Sequence, residues 1–316
     1  MGTPRFYRNA VTCLRGAVSS WVSLEGVPLS CVLHLGDILD SLQAQHGEKA
    51  SEASLARVLD AFAPLEVPVH HVLGNHCLAN LPRARLHAAL GIPHNPCAGG
   101  AAAYSFSPAQ GFRVVVLDSY DVSLLGWPAG DPRRTEAELL LQSRNPNANP
   151  NSPEGLQGLE RRFVAFGGGA SAQQLAWLAS LLCDADVARE RVFIALHTPV
   201  HPDSSPPVCL LWNYEQLAAL VTKHACVVAT LAGHAHGGGQ CLDAAGCHHF
   251  VLPAVLECPP GENAFGHLEI FDHGFAIRGT GRMGSTQMLP FRAWGTPEVQ
   301  PVANEQRAAQ RIANVT

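Results

Sequence analysis

Four short, largely apolar runs in this chain each lead to a polar residue able to hold a metal. CVLHL (31–35) precedes Gly36-Asp37, and VHHVL (69–73) precedes Gly74-Asn75-His76. VFIAL (192–196) precedes His197, and VVATL (227–231) leads into Gly233-His234-Ala235-His236. Four or five β-prone residues bounded in this way read as buried strands. Strands covered on both faces require an α/β architecture, with ligand-type residues at the C-terminal strand ends where such folds carry their chemistry. A carboxylate (Asp37), an amide (Asn75) and three imidazoles (His197, His234, His236) make a mixed oxygen and nitrogen set. Such a set suits Mn²⁺, Fe or Zn²⁺ and not a Ca²⁺ cage of oxygens alone.

Strands and helices alternate through the first two thirds of the chain. Residues 7–21 predict a helix, with Leu14, Ala17, Val18 and Trp21 at helical spacing. Further helices are predicted over 48–65, 83–90 and 132–144, the last with Pro132 in its first turn and Asp131 as N-cap. Ser171 caps a helix over 172–182, and 214–224 predicts another. A strand (113–117) leads into Asp118-Ser119-Tyr120-Asp121. From 227 onward short strands follow one another, at 227–231, 249–252, 267–271 and 275–278. Two mixed sheets packed face to face, with helices outside, fit this order. Residues 145–169 are irregular, opening on Asn-Pro repeats and closing on three glycines, and read as a loop over the mouth of the site. Hydrophobic periodicity fades late in the chain. The expected division is one domain over 1–285 and a divergent, disordered tail over 286–316.

A chain of 316 residues, 47% hydrophobic, can bury a large core as one domain. A net charge of −5 and scattered basic residues argue against nucleic-acid binding. No apolar run is long enough to span a membrane, and the first residues lack a signal h-region. The 10 cysteines show no CxxC and no compact framework, which fits reduced thiols in a cytoplasmic, monomeric protein.

The series GD, GNH, H and GHxH, in that order and each behind a strand, resembles the calcineurin-like metallophosphoesterases. The resemblance implies a four-layer sandwich of two mixed β-sheets flanked by helices, holding two metals that share one carboxylate. Asp37 matches the bridging carboxylate. Asn75, His197 and His234 match the rest of one metal's ligands, and His236 matches a ligand of the other. His76 matches the histidine that contacts the phosphate and assists proton transfer. The family's first motif, D-x-H or D-x-Q, is not found upstream of Asp37, where Glu25 is the one acidic residue. On this comparison the fold's first strand is missing and the chain starts within its first helix. A shortened gene model and a mono-metal or inactive product both fit that departure.

A closer resemblance, over roughly residues 5–282, is to the manganese-dependent ADP-ribose/CDP-alcohol diphosphatases. VCLLWNY (208–214) and the NSPEGL and FGGG elements of the 145–169 loop carry it. It implies hydrolysis of ADP-ribose to AMP and ribose 5-phosphate, and of CDP-choline to CMP and phosphocholine, by a metal-activated water. Mn²⁺ is the expected metal, with Zn²⁺ or Mg²⁺ as alternatives. Cys209, Trp212, Asn213 and Tyr214 are candidates for a nucleoside slot, with core packing as the alternative for Trp212 and Tyr214, and the position matching Cys209 is associated in the family with substrate choice. The alternative is a catalytically weak protein that binds metal or nucleotide without turnover. A protein serine/threonine phosphatase is disfavoured, because the chain has GDILDS and GNHC where those enzymes have GDxVDRG and GNHE.

Overall fold

The structure, a computed structural model, describes residues 3–26 and 28–294. The first helix, α1 (Tyr7–Val22), is followed by β1 (Val32–His34), α2 (Glu48–Phe62) and β2 (Val69–His71). Two short helices, α3 (Asn75–Asn80) and α4 (Arg83–Leu90), lead to the hairpin β3 (Tyr104–Ala109) and β4 (Phe112–Val116). Then come α5 (Pro132–Arg144), α6 (Ala172–Ala188), β5 (Arg191–Ala195), α7 (Tyr214–Lys223) and β6 (Val227–Ala232). The chain continues through β7 (Gly239–Leu242), β8 (His248–Val251), β9 (Ala264–Phe271), β10 (Gly274–Gly281) and β11 (Leu289–Pro290).

The central layer is a six-stranded mixed sheet in the order β3-β4-β5-β6-β8-β7. Its two faces are set by the period of two along each strand. In β5, Phe193 and Ala195 point to one side, where they meet Val32, Leu73, Phe275 and Ile277. Val192 and Ile194 point to the other side, onto Leu178 and Leu182 of α6 and Leu217 and Val221 of α7. Facing this sheet is a second β layer in two pieces, a parallel pair β1-β2 and an antiparallel β11-β10-β9. Val18 of α1 with Leu55 and Phe62 of α2 packs on its outer side. The layers therefore run helix, sheet, sheet, helix, as the sequence predicts, with the second layer divided.

Three differences from the sequence-based expectations have plain causes. The strand β3 was hidden because YSFSPA carries Pro108 and little apolar period; its register with β4 shifts between Phe106 and Ala109. The helix starting at Ser171 runs to Ala188, well past Leu182, because Leu181, Leu182 and Ala185 continue its buried face. Residues 286–294 do not belong to a loose tail. Leu289–Pro290 pairs with β10, and Arg292 is buried, its guanidinium donating to the backbone oxygens of Ala225 and Val221. The remainder of the expected tail lies outside the described residues. Among the described residues, no helix is long and apolar enough to cross a membrane.

Candidate metal centre

Asp37 follows β1 through Gly36 and lies in the left-handed region at φ 53°; His234, after β6, does the same at φ 63°. Non-glycine residues rarely adopt that conformation, and where they do it is often at a functional site. Gly74 makes room for Asp37: a β-carbon there would collide with the Asp37 carboxylate and backbone nitrogen. The Asp37 carboxylate accepts a hydrogen bond from the His76 backbone N–H at 2.9 Å through Oδ1. Its other oxygen, Oδ2, lies 3.2 Å from His197 Nε2.

His197, 2% exposed, is held from several sides. Its Nδ1–H donates to the Leu35 carbonyl at 2.7 Å, which in the neutral ring leaves Nε2 without a proton. That nitrogen faces His234 Nδ1 at 3.2 Å as well as Asp37 Oδ2. The backbone N–H groups of His197 and Thr198 both donate to Ser119 Oγ at 3.1 Å. The Asp37 carboxylate, His197 Nε2 and His234 Nδ1 thus converge, all within 4.8 Å of one another.

The electrostatics of this convergence suit a bound cation. Partial burial pushes the Asp37 carboxyl up, yet His197 beside it, with His76 and His234, holds it well below the usual carboxylate range. Burial pushes His197 down, and the Asp37 charge and hydrogen bond more than reverse this. His234 is lowered to about 3, by burial first and then by the nearby His197. With His197 neutral, its Nε2 and the Asp37 carboxylate face one another as two acceptors, and either a proton on Nε2 or a metal cation relieves that. The residues fit a metal of the Mn²⁺ kind, which accepts mixed carboxylate and imidazole donors.

The other sequence-predicted residues surround this point. Asn75 is buried at the start of α3, and its Oδ1 accepts from the Tyr120 hydroxyl at 3.3 Å. His236 lines the same cleft but stands outside the close trio; its Nδ1 is 2.9 Å from Glu257 Oε1. His76 Nδ1 accepts from the Ser41 backbone N–H at 2.9 Å, so the neutral ring carries its proton on Nε2. The cleft holds about 630 Å³, and its lining includes the polar residues Arg5, Asp37, Ser41, Asn75 and His76 and the His234–His236 loop. Leu125, Phe166, Pro206, Val208 and Cys209 add apolar lining.

The expected nucleoside slot is only partly present. Cys209 lines the cleft, whereas Trp212, Asn213 and Tyr214 do not. Trp212 is 1% exposed and packs with Val122, Phe163 and Ala165 beneath the irregular 145–169 segment. Arg162 reinforces this by donating to the Trp212 carbonyl at 2.8 Å. Asn213 pairs with the backbone of Ala170 through both its side-chain oxygen (3.0 Å) and nitrogen (2.8 Å). Tyr214 opens α7 with the Arg162 guanidinium 5.2 Å from its ring centre. These three residues hold the loop, and the loop sends Phe166 into the cleft, 5.9 Å from the His234 ring.

Sequence reasoning missed Tyr120, Ser119 and Glu257. The first two follow a strand in the same manner as the ligand-type residues, so their position was a usable signal. Nothing around Glu257 marked it.

Comparison with known proteins identifies relatives of this chain. A manganese-dependent ADP-ribose/CDP-alcohol diphosphatase from Oryza sativa subsp. japonica is 42% identical over 288 residues, 91% of this chain and 87% of that protein. The proteins of the same name from Arabidopsis thaliana and Homo sapiens are 41% and 40% identical, over 90% and 88% of this chain and 89% and 83% of their own lengths. This chain belongs to the manganese-dependent ADP-ribose/CDP-alcohol diphosphatase family. Membership makes it a metal-dependent hydrolase with the metallophosphoesterase fold. A crystal structure of a dimetal phosphatase from Danio rerio superimposes with a TM-score of 0.86 at 36% identity, covering 92% of this chain and 91% of that one. No protein-family model matches the chain.

Proposed function

We propose that this diphosphatase-family chain hydrolyses nucleoside diphosphate-X phosphoanhydrides with Mn²⁺, cleaving ADP-ribose to AMP and ribose 5-phosphate and CDP-choline to CMP and phosphocholine. The observation that carries this is the meeting of Asp37, His197 and His234 beside a cleft of about 630 Å³ lined by both polar and apolar side chains. Asp37, Asn75, His197 and His234 would hold one metal, and Asp37 with His236 would hold the second. When bound, such ions neutralise the anionic diphosphate and acidify the attacking water. Zn²⁺ or Mg²⁺ could replace Mn²⁺ in the same donor set.

The chain's own residues supply the rest. His76, with its proton fixed on Nε2 by the Ser41 amide, donates to a phosphate oxygen or to the leaving group. Arg5 lines the cleft 3.7 Å from Asp40 and adds positive charge that an outer phosphate would meet. Leu125, Phe166, Val208 and Cys209 offer the nucleoside an apolar wall. The 10 free cysteines support the reading of a cytoplasmic protein. We read it as a monomer.

The test is release of AMP from ADP-ribose and of CMP from CDP-choline by the full chain, with and without Mn²⁺. Turnover that requires Mn²⁺ and is lost in Asp37→Asn supports the assignment; turnover unchanged by Asp37→Asn removes it. A second reading has its own observation. Among the described residues, Asp37 and His236 are the candidate ligands assigned to the second metal. Binding of Mn²⁺ and nucleotide by calorimetry without product formation would make the chain a binder.

A further inference from the structure

The β7–β8 hairpin carries a second group of metal-ligand side chains, none of which lines the cleft. Cys241 and His249 are direct partners in its antiparallel register, and the ladder continues where the Asp243 N–H donates to the Cys247 carbonyl at 3.0 Å. Opposed residues in such a pair, and those two positions along, project from one face. Cys241, Asp243, Cys247 and His249 therefore share a face.

The donor atoms of three of them are close and already oriented. The Asp243 carboxylate, Cys247 Sγ and a His249 ring nitrogen lie within 4.8 Å of one another. His249 Nε2 is 3.3 Å from Asp243 Oδ2. Two oxygen or nitrogen ligands on a tetrahedral Zn²⁺, each about 2.0–2.1 Å from the ion, stand roughly 3.3 Å apart. The remaining atoms of these residues are occupied by contacts that aim the first ones. His249 Nδ1 is 2.9 Å from Thr230 Oγ1 on β6, which leaves Nε2 to face the group. Asp243 Oδ1 accepts from the N–H groups of Ala245 (2.9 Å) and Cys247 (2.8 Å), which leaves Oδ2 pointing inward. Cys247 and His249 are 0% and 1% exposed. Cys241 Sγ lies 3.2 Å from His201 Nδ1, and the His201 ring stacks on His249 at 4.8 Å.

We propose that this face is a second metal site, structural in kind, which takes Zn²⁺ through Asp243, Cys247 and His249 with Cys241 as the fourth ligand. Thiolate, imidazole and carboxylate together select a borderline-soft ion over the harder ions suited to the cleft. Both thiols release their protons to solvent as the ion binds, and the ion's charge replaces the protons that burial otherwise keeps on sulfur. The ion braces the hairpin that begins at Gly239, just after His236, and so steadies the loop carrying that histidine.

Cobalt separates this site from the cleft. The full chain is stripped with a chelator and titrated with Co²⁺. Sulfur-to-cobalt charge transfer in the near ultraviolet reports thiolate ligation, and the cleft ligands are all oxygen and nitrogen. The expected result is a charge-transfer band that Zn²⁺ displaces. Cys247→Ser abolishes the band, Cys241→Ser reduces it, and Cys209→Ser, a change in the thiol beside the cleft, retains it. If Cys247→Ser fails to fold, the half-buried Cys241→Ser and the Cys209→Ser control still decide. A wild-type protein without the band, or a band indifferent to Cys241 and Cys247, overturns the proposal and leaves these residues as a hydrogen-bonded cluster.

Discussion

Glu257 Oε1 lies 2.9 Å from His236 Nδ1, and Arg282 approaches the other carboxylate oxygen at 3.5 Å. The carboxylate accepts a hydrogen bond from the Nδ1–H, which leaves Nε2 free for a metal. Carboxylates that orient metal-binding histidines this way contribute about 10–100-fold to metal affinity. Glu257→Gln should therefore weaken Mn²⁺ binding by about that factor while leaving the fold intact. Mn²⁺ titrations of wild type and variant, followed by circular dichroism, check this; equal affinities would release Glu257 from the role.

The close approach of Gly74 to Asp37 predicts a large effect from one methyl group. Gly74→Ala drives a β-carbon into the Asp37 carboxylate. Overpacking of this kind costs roughly 1–3 kcal/mol. Mn²⁺-dependent turnover should fall further than stability does, because the displaced group is the proposed bridging ligand. Denaturant melts and initial rates on the same variant test whether the two losses differ.

Arg83 and Asp118 form a buried pair at 2.6 Å behind the site, and Arg83 also donates to the Tyr120 carbonyl. Burial pushes the Asp118 carboxyl up, but Arg83 and the backbone amides of Ala102 and Tyr120 bring it below its ordinary value. Removing one partner of such a pair leaves the other charged and unpaired, at a cost of about 3–5 kcal/mol. Arg83→Met should lower stability by that order in urea unfolding, and Tyr120, which holds Asn75, should lose its fixed position.

Metal binding should strengthen with pH. His197 is raised in the fold, so without metal its contribution to stability is full below its unfolded pKa of about 6.5 and is lost as pH rises through the folded value. Asp37 is lowered, so its contribution is present above about 3.9 and is lost only in stronger acid. The pair is thus intact between about pH 4 and 6.5. His234, held down to about 3, opposes this by costing stability as pH falls below about 6.5. Mn²⁺ must displace the His197 proton, so the rise in Tm on adding Mn²⁺ should be larger near about pH 8 than near about pH 5.5. A rise of constant size would take His197 out of the ligand set.

Cys209 and Trp212 should separate in kinetics. Cys209→Ala changes the apolar wall of the cleft and should shift KM for ADP-ribose and CDP-choline unequally. Trp212→Phe lies in the loop's packing cluster and should lower stability with little effect on KM. The reverse pattern would return Trp212 to the nucleoside slot.

The meeting of the candidate ligands Asp37, His197 and His234 was legible because each stands behind a strand, and a strand that fills a core must be continuously apolar. Helix ends with strong chemistry were legible for similar reasons: Asp131 caps Pro132–Arg144 by accepting from the Arg133 N–H at 2.9 Å. Trp212 misled because an aromatic residue near a site has the same composition whether it faces solvent or a loop. Its direction depends on Arg162 and Phe163, some fifty residues away in sequence. The hairpin residues Cys241, Asp243, Cys247 and His249 were opaque because their shared face exists only through the register of β7 on β8.

His197 is bonded to Leu35, and Gly233 N–H donates to the His197 carbonyl at 3.0 Å, so the ends of β1, β5 and β6 are joined across the two β layers. A cation held by Asp37 and His197 would be a rivet through both sheets, linking chain segments 160 residues apart. Loss of either layer would then also release the ion. Chelation should consequently loosen amide protons in β1 and β5 together, in hydrogen exchange, as one cooperative unit.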